Sequence, residues 1–379
     1  MEVAKGLEGI YAVESAIATI DGLKGILHYR GYNIHDLAEK STFEETCYLL
    51  LYGELPTKEQ LKEFEIKLKV QRELPKEIVK LIKILPAEKP MSTLRTVVSA
   101  IGLYDKDADA LGREALIDKS INLIAKLPVI VASIGRVAKG EKILKPKKGL
   151  STAANFLYML HGKRPDKFHA RVFDICLILH AEHELNASSF TARATASTLS
   201  DIYSATTSAI GALKGAWHGG ANEQVIKMLR EIGSAERVES YLREKIEKKE
   251  RIMGFGHRVY KAKDPRATIL ERYSKELAEK AGDNGNNSLY QISKKIEDFM
   301  SSQQKLTEKG IFVNVDFYSA SVYTYLDIPP SLFTPIFAAS RMSGWAAQLL
   351  EQYADNRIFR PRAKYVGAEE RNYVSINKR

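Results

Sequence analysis

The sequence predicts an all-α protein of two helical domains, entered through a small β-hairpin, and three observations carry that reading. Helix-starting caps recur along the chain, no series of β-branched runs alternates with them, and the length is 379 residues. Single hydrophobic cores stop growing at roughly 250–300 residues, so a second domain is expected. Strands alternating with helices would signal a doubly wound sheet, and their absence disfavours one.

Residues 10 to 31 alternate in polarity around Asp21-Gly22, the signal for a two-residue hairpin turn. Helices follow. Ser41-Thr42-Phe43-Glu44 has the spacing of a capping box ahead of Cys47-Tyr48-Leu49-Leu50-Leu51, and Thr57-Lys58-Glu59-Gln60 repeats it. Pro75 stands where a first-turn proline would and opens Lys76 to Leu85. The basic run Lys142-Ile143-Leu144-Lys145-Pro146-Lys147-Lys148 reads as a solvated loop between helices. Val172, Cys176, Leu179 and His183 fall at i, i+4, i+7 and i+11, placing His183 at the C-terminal end of a buried helical stripe. From Asn186 to Ala216 the chain is mostly Ala, Ser, Thr and Gly, with Phe190, Ile202, Ile210 and Leu213 recurring. Small residues with apolar anchors predict closely packed helices; a low-complexity linker is the alternative.

Composition narrows the function. With 45% hydrophobic and 27% charged residues the chain reads as a soluble globular protein. No stretch approaches the roughly 18 uncharged apolar residues of a membrane span, and Met1 to Gly6 lacks a signal-peptide pattern, so the expected address is the cytoplasm. Cys47 and Cys176 lie in apolar runs, form neither a disulfide framework nor a zinc spacing, and read as buried thiols. A formal charge of +10 can serve nucleic acid, an anionic membrane or small anions. The basic residues are interleaved with Glu, as in Arg243 to Arg251, and no zinc finger, RNP-type motif or polybasic tail appears. Nucleic acid and membrane are thereby disfavoured as partners.

Three segments carry the chemistry: Ala216-Trp217-His218-Gly219-Gly220, Gly254-Phe255-Gly256-His257-Arg258 and Asn314-Val315-Asp316-Phe317-Tyr318-Ser319. A histidine among glycines packs poorly but leaves room for a ligand beside its ring. A carboxylate between Val and Phe costs free energy, which active sites put to use. Two imidazoles and one desolvated carboxylate make an acid–base set. His180-Ala181-Glu182-His183-Glu184 gathers potential metal ligands, yet fits none of the helical zinc spacings, and no thiolate completes it. His183 alone reads either as an anion or carbonyl binder or as a satisfied core histidine. Gly254-Phe255-Gly256 begins like a nucleotide fingerprint, but the third glycine and a preceding strand are missing. Arg258, Lys261, Lys263 and Arg266 make that segment either anion-facing or a solvated helix start.

These motifs, with Leu27-His28-Tyr29-Arg30-Gly31, Pro90 to Arg95, His180 to Phe190, Trp217 to Glu223, Gly254 to Arg266 and Ser340-Arg341-Met342-Ser343-Gly344-Trp345, resemble citrate synthase over essentially the whole chain, in the family's order. The resemblance implies condensation of acetyl-CoA with oxaloacetate and hydrolysis of the citryl thioester, with CoA as co-substrate and neither metal nor permanent cofactor. Asp316 matches the base that deprotonates the acetyl methyl. His218 matches the donor to the thioester oxygen, and His257 the donor to the ketone of oxaloacetate. His183, Arg266, Arg341 and Arg360 match the oxaloacetate binders, with Arg360 reaching the partner's site in a homodimer; Arg362 stands close by in sequence. Gly254, Phe255, Gly256 and Lys261 resemble the CoA-binding segment, and Lys309 is a further candidate for a phosphate.

The family fold implies a large helical domain of residues 1–219 and 328–379 and a small one of 220–327, closing over oxaloacetate with His218 at the hinge. The chain resembles the short dimeric prokaryotic and archaeal type, with neither a mitochondrial leader nor the extra domain of NADH-inhibited forms. The nearest alternative is 2-methylcitrate synthase, which shares the acid–base set and takes propionyl-CoA. One methylene is worth roughly 1–3 kcal/mol of discrimination, and these motifs do not separate the two. Outside the family, a basic nucleic-acid-binding helical protein would bind duplex with steep salt dependence, and a metal-dependent hydrolase would lose activity to chelators.

Overall fold

The chain enters as a three-stranded antiparallel sheet, β1 (Ala18–Asp21), β2 (Ile26–Tyr29) and β3 (Tyr32–Asn33), in the computed structural model, which describes residues 3–283, 285 and 288–379. Met1, Glu2, Asn284, Asn286 and Asn287, which fall in the predicted segments 1–219 and 220–327, lie outside the described residues. The expected two-residue turn is instead a longer loop, because Asp21 pairs with Ile26 and encloses residues 22–25. Asp21 Oδ1 accepts from the N–H groups of Leu23 and Lys24 at 3.2 and 3.0 Å, so the aspartate side chain builds the turn. The two glycines serve tertiary contact. A Cβ on Gly22 would stand 2.3 Å from the Val259 carbonyl oxygen, and one on Gly25 2.8 Å from that of Lys263. The hairpin loop is thus pressed against the segment that follows His257.

Ten helices come next: α1 (Ile34–Lys40), α2 (Phe43–Tyr52), α3 (Lys58–Gln71), α4 (Lys76–Ile84), α5 (Pro90–Gly102), α6 (Arg113–Ala138), α7 (Thr152–His161), α8 (Lys167–His180), α9 (Ala187–Ala196) and α10 (Ile202–Leu213). The capping box at Thr57–Gln60 forms as read from the sequence. The one at Ser41–Glu44 does not. Thr42 is the N-cap and accepts from Glu45 N–H at 3.2 Å, while Glu44 turns inward and accepts from Thr152 N–H at 2.6 Å. A helix start distant in sequence, that of α7, claims the carboxylate that local spacing assigned to α2. Pro75 is the N-cap of α4. Lys142–Lys148 is a loop between α6 and α7.

Helix α6 is long and apolar enough, by length and composition, to cross a membrane, with a window of mean hydropathy 1.6. That window is 83% buried inside the protein, where α6 packs against α7 and a later helix, as a core helix does. Its buried Lys126 donates to the Gln71 carbonyl at 2.8 Å, and burial lowers the lysine pKa to about 8. The small-residue segment forms α9 and α10 packed on each other, which removes the linker alternative.

Among the described residues six further helices follow α10: α11 (Ala221–Ile232), α12 (Val238–Glu247), α13 (Pro265–Lys280), α14 (Leu289–Ser302), α15 (Gln304–Thr307) and α16 (Val315–Tyr325). Among them α13 lies along α16, with α11 and α14 packed on the same group. The last helix, α17 (Phe333–Ala354), returns to the first group, packs on α2, α6, α8 and α9, and is buried along nearly its whole length. It also corrects the reading of His183. The Val172, Cys176 and Leu179 stripe is buried, but α8 stops at His180 and His183 lies in the turn beyond it. Arg341 Nε and Gly344 N–H of α17 donate to the carbonyls of His180 and Ala181 at 2.8 and 3.1 Å, consuming acceptors at the end of α8. A Cβ at Gly344 would stand 2.3 Å from the Ala181 oxygen, so the crossing requires glycine. Both cysteines are buried and free.

Candidate active site

A cleft of ≈ 1620 Å³ opens between the two helical groups. His183, His218, His257 and Asp316 line it, with Arg266 and Arg341 beside them. Gly254, Phe255, Gly256 and Lys309 line it too, whereas Lys261 and Arg360 stand outside. Lys261 is exposed, and its stem lies against Gly310, where a Cβ would meet Lys261 Cδ at 2.8 Å. Arg360 is exposed in the extended segment after α17. Besides Arg266 and Arg341, the Lys and Arg residues that line the cleft are Lys249, Arg251, Arg258 and Lys309.

His218 sits in the turn leaving α10, where its N–H donates to Gly215 at 2.9 Å and Gly219 N–H to Leu213 at 2.9 Å. The backbone N–H of Ser188, near the start of α9, donates to His218 Nε2 at 3.2 Å. A backbone N–H can only donate, so the neutral ring holds its proton on Nδ1. Burial, then Arg341, lowers the ring pKa to about 4, so the neutral form prevails at pH 7.

The same logic assigns His257 the opposite tautomer. Its Nδ1 accepts from the N–H groups of Val259 and Tyr260 at 3.0 and 3.1 Å, which leaves Nε2 as the donor. Burial and Arg266 lower its pKa to about 4. The loop bearing it is fixed from the other side: Gly256 N–H donates to Phe312, Asn314 N–H to Gly254, and Asn314 Nδ2 to the Gly256 carbonyl. Gly254 has φ +80°, and a Cβ there would lie 2.7 Å from the Phe317 ring, so glycine is required on both counts.

His183 is buried, with its ring 5.2 Å from that of His257 and its Nε2 3.2 Å from the Tyr260 hydroxyl. Burial, then Arg266, holds it well below the usual histidine range. It therefore serves the cleft as a neutral hydrogen-bonding group.

Asp316 occupies the first turn of α16, which Asn314 caps by accepting from Asp316 N–H at 3.1 Å. A helix N-terminus and the guanidinium groups of Arg266 and Arg341 favour its charge, but desolvation outweighs them and raises the pKa to about 7. Among the described residues its buried Oδ1 has no hydrogen-bond partner.

The two arginines differ. Arg266 is buried at the start of α13 and already held: Nε and Nη2 donate to Asp264 at 3.0 and 2.7 Å. Asp264 also caps α13 and accepts from Val315 N–H at 3.1 Å, tying Arg266 to the helix of Asp316. Among the described residues Arg341 has no carboxylate within salt-bridge distance; it donates to the His180 carbonyl, lies 4.7 Å from the Phe337 ring, and leaves Nη1 buried and unpartnered. Burial lowers its pKa to about 10, still cationic at pH 7. An unpaired buried guanidinium is costly, and an incoming carboxylate would relieve that cost.

Residues without an assigned role in the sequence reading thus complete the site: Ser188, Tyr260 and Asp264. Asp264 had a signal, since Asp before Pro is a helix-start pattern. Ser188 and Tyr260 act through distant partners and had none. The possible metal group disperses: His180 Nδ1 bonds the Cys176 carbonyl, Glu182 accepts from Gln348, and His183 faces the cleft. Among the described residues no group of three or more His, Cys, Asp or Glu side chains could hold a metal ion.

The family description "Citrate synthase, C-terminal domain" matches residues 6–362. The chain is 49% identical over 381 residues to the protein named Citrate synthase 2 of Bacillus subtilis, covering 100% of each. It is 43% identical over 376 residues to the 2-methylcitrate synthase of Shewanella oneidensis, covering 99% of this chain and 97% of that one. Among solved structures, the citrate synthase of Pyrobaculum aerophilum matches with TM-score 0.92 at 41% identity, covering 99% of this chain and 95% of that one. The ternary complex of carboxymethyl coenzyme A and oxaloacetate with citrate synthase from Thermoplasma acidophilum matches with TM-score 0.91 at 36% identity, covering 99% of both.

Proposed function

The chain belongs to the citrate synthase family of transferases, and from that premise we propose that its cleft condenses acetyl-CoA with oxaloacetate and hydrolyses the thioester formed, giving citrate and CoA. Oxaloacetate brings two carboxylates. Arg341, cationic and unpaired, takes one, and the free edge of Arg266, oriented by Asp264, takes the other, with His183 donating beside them. His257 Nε2–H then donates to the ketone oxygen, making its carbon electrophilic.

Asp316, with its pKa near 7, removes a proton from the acetyl methyl as charge moves to the thioester oxygen. His218 Nδ1–H donates to that oxygen. A neutral imidazole suits the task, since it adds no full charge to the ground state. The enol carbon bonds to the ketone carbon while the ketone oxygen gains a proton at His257. Water then breaks the carbon–sulfur bond of citryl-CoA, releasing citrate and the CoA thiol. No permanently bound cofactor or metal takes part.

The observation that carries this reading is the pair of opposite tautomers. Ser188 N–H makes His218 Nε2 an acceptor, and Val259 and Tyr260 N–H make His257 Nδ1 one, so each neutral ring has one remaining N–H to donate. Residues 220–327 act as the small domain and close on 1–219 and 328–379, His218 lying at the boundary and closure excluding water from the thioester. The CoA moiety lies along the Gly254–Gly256 loop, with Lys309 near a phosphate.

A homodimer is part of the same proposal. Ile10 and Tyr11 near the start, and Tyr365, Val366 and Tyr373 near the end, are exposed apolar side chains that a partner subunit covers, and Arg360 in the same C-terminal segment reaches the partner's cleft. Two free buried thiols fit a cytoplasmic address.

The test is thiol release from acetyl-CoA and from propionyl-CoA, each with and without oxaloacetate, in the presence of a chelator. Rapid oxaloacetate-dependent release from acetyl-CoA supports the proposal. A faster rate with propionyl-CoA would favour 2-methylcitrate synthesis, the reading to which the Shewanella relative lends weight. No release from either would overturn both.

A further inference from the structure

The chain has two tryptophans, and they are opposites: Trp345 is 0% exposed in the core of α17, whereas Trp217 is 91% exposed on the cleft wall. Trp217 is the immediate neighbour of His218, so their Cα atoms are about 3.8 Å apart. The turn that holds both is tied to the end of α10 by its backbone. Besides the two hydrogen bonds from His218 and Gly219, the Gly219 Cα approaches the Leu213 carbonyl so closely that a Cβ would stand 2.5 Å away. Within this turn the His218 ring points inward to Ser188 and Phe337, while the indole points outward along the cleft wall. The guanidinium of Arg251 lies over the indole, 5.4 Å from its ring centroid, and Lys249 and Glu250 line the same cleft, the Glu250 charge being paired with Lys245. An exposed indole with a cation on one face and open cleft on the other is a ready apolar surface beside a positive field.

We propose that Trp217, backed by Arg251, is the wall against which the pantetheine arm of the acyl-CoA packs, so that it sets acyl-CoA affinity without touching the reacting atoms. The assignment rests on the proposed reaction, in which His218 meets the thioester oxygen. A thioester at the inward-pointing ring must run its arm outward past the next residue on the wall. That arm carries a gem-dimethyl group and two amides, which suit the face and edge of an indole. Arg251 then stands between the indole and the diphosphate, holding the ring and attracting the anion.

The experiment pairs kinetics with fluorescence. Trp217→Ala should raise KM for acetyl-CoA about tenfold, the order expected from losing one indole face of apolar contact, while KM for oxaloacetate stays within about twofold. Trp217→Phe should recover most of the loss. In the unsubstituted protein with oxaloacetate bound, CoA should shield the exposed indole from acrylamide quenching, and pantetheine should do so as well; Trp345, already buried, supplies the constant background. Shielding by adenosine 3′,5′-bisphosphate but not by pantetheine would place the adenine on Trp217 and overturn the assignment. Turnover with unchanged acetyl-CoA KM in Trp217→Ala, or no shielding by CoA, would overturn it while leaving the reaction standing. No oxaloacetate-dependent thiol release from the unsubstituted protein would overturn the reaction and this assignment together.

Discussion

Replacing Asp316 by Asn should make the protein more stable as well as inactive, and the stability gain should depend on pH in one direction only. Burial raises the Asp316 pKa from 3.8 to about 7 in the folded protein. At about 1.36 kcal/mol per pH unit, that gap corresponds to about 4 kcal/mol, an upper bound for the cost of holding the carboxylate charged in the fold. Between those pH values the folded state keeps a proton that the unfolded chain has released. Wild-type stability therefore falls as pH rises from about 4 to about 7, then levels off. Asparagine bears no such cost. Denaturant midpoints of the two proteins, measured across that range, should coincide near pH 4 and separate by up to about 4 kcal/mol at pH 8 in favour of the variant. Other titrating groups are common to both proteins and cancel in the difference. Wild-type kcat/KM for acetyl-CoA should fall about tenfold per unit below pH 7, and Asp316→Asn should lose a factor of about 10²–10⁴ in turnover. A stability difference that is flat with pH, or that shrinks as pH rises, would refute the argument that burial tunes this carboxylate.

Arg341→Leu should raise the oxaloacetate KM about 100-fold or more, since a buried charge-assisted contact is lost, with little effect on acetyl-CoA affinity measured at saturating oxaloacetate; an unchanged oxaloacetate KM would remove Arg341 from binding. His218→Ala and His257→Ala should each lower kcat about 10²–10³-fold, the usual loss for one preorganised donor, and either variant retaining near-normal kcat would break the tautomer assignment. Asp264→Asn should cost about 3 kcal/mol in a denaturant titration and also raise the oxaloacetate KM, because it leaves Arg266 buried without its counter-charge; a change in stability alone would separate Asp264 from the site. Mixing inactive Asp316→Asn and Arg360→Leu subunits should restore activity in the heterodimer, whereas confirmed mixing without recovery would show that the clefts are not shared.

Much of the site was legible because its signals are local. Asp316 between Val and Phe announces a desolvated carboxylate, and His218 and His257 beside glycines announce rings open to a ligand. The helix start at Thr57 follows from a side chain that reaches its own backbone three residues on. The misreadings have the same origin. Glu44 had the spacing for a local cap but serves Thr152, which is 108 residues away in sequence. Asp21-Gly22 had the form of a two-residue turn, yet Gly22 and Gly25 answer to the carbonyls of Val259 and Lys263. Local spacing likewise gives no sign that the Lys261 N–H donates to the Gly22 carbonyl, at 2.8 Å.

By itself the sequence determined the all-α class, individual helix starts such as that at Thr57, and the acid–base set with its family resemblance, because caps, periodicity and motif chemistry act within a few residues. Only the tertiary structure decided which nitrogen of each imidazole donates, which arginine is already paired, and which lysines reach the cleft. His218, His183 and Arg341 meet partners brought in from elsewhere in the chain, namely Ser188, Tyr260 and the end of α8, whereas the folded loop turns near neighbours onto His257 and Arg266. Such contacts depend on where helices cross, and at Gly344 the crossing is so close that a single methyl group would prevent it.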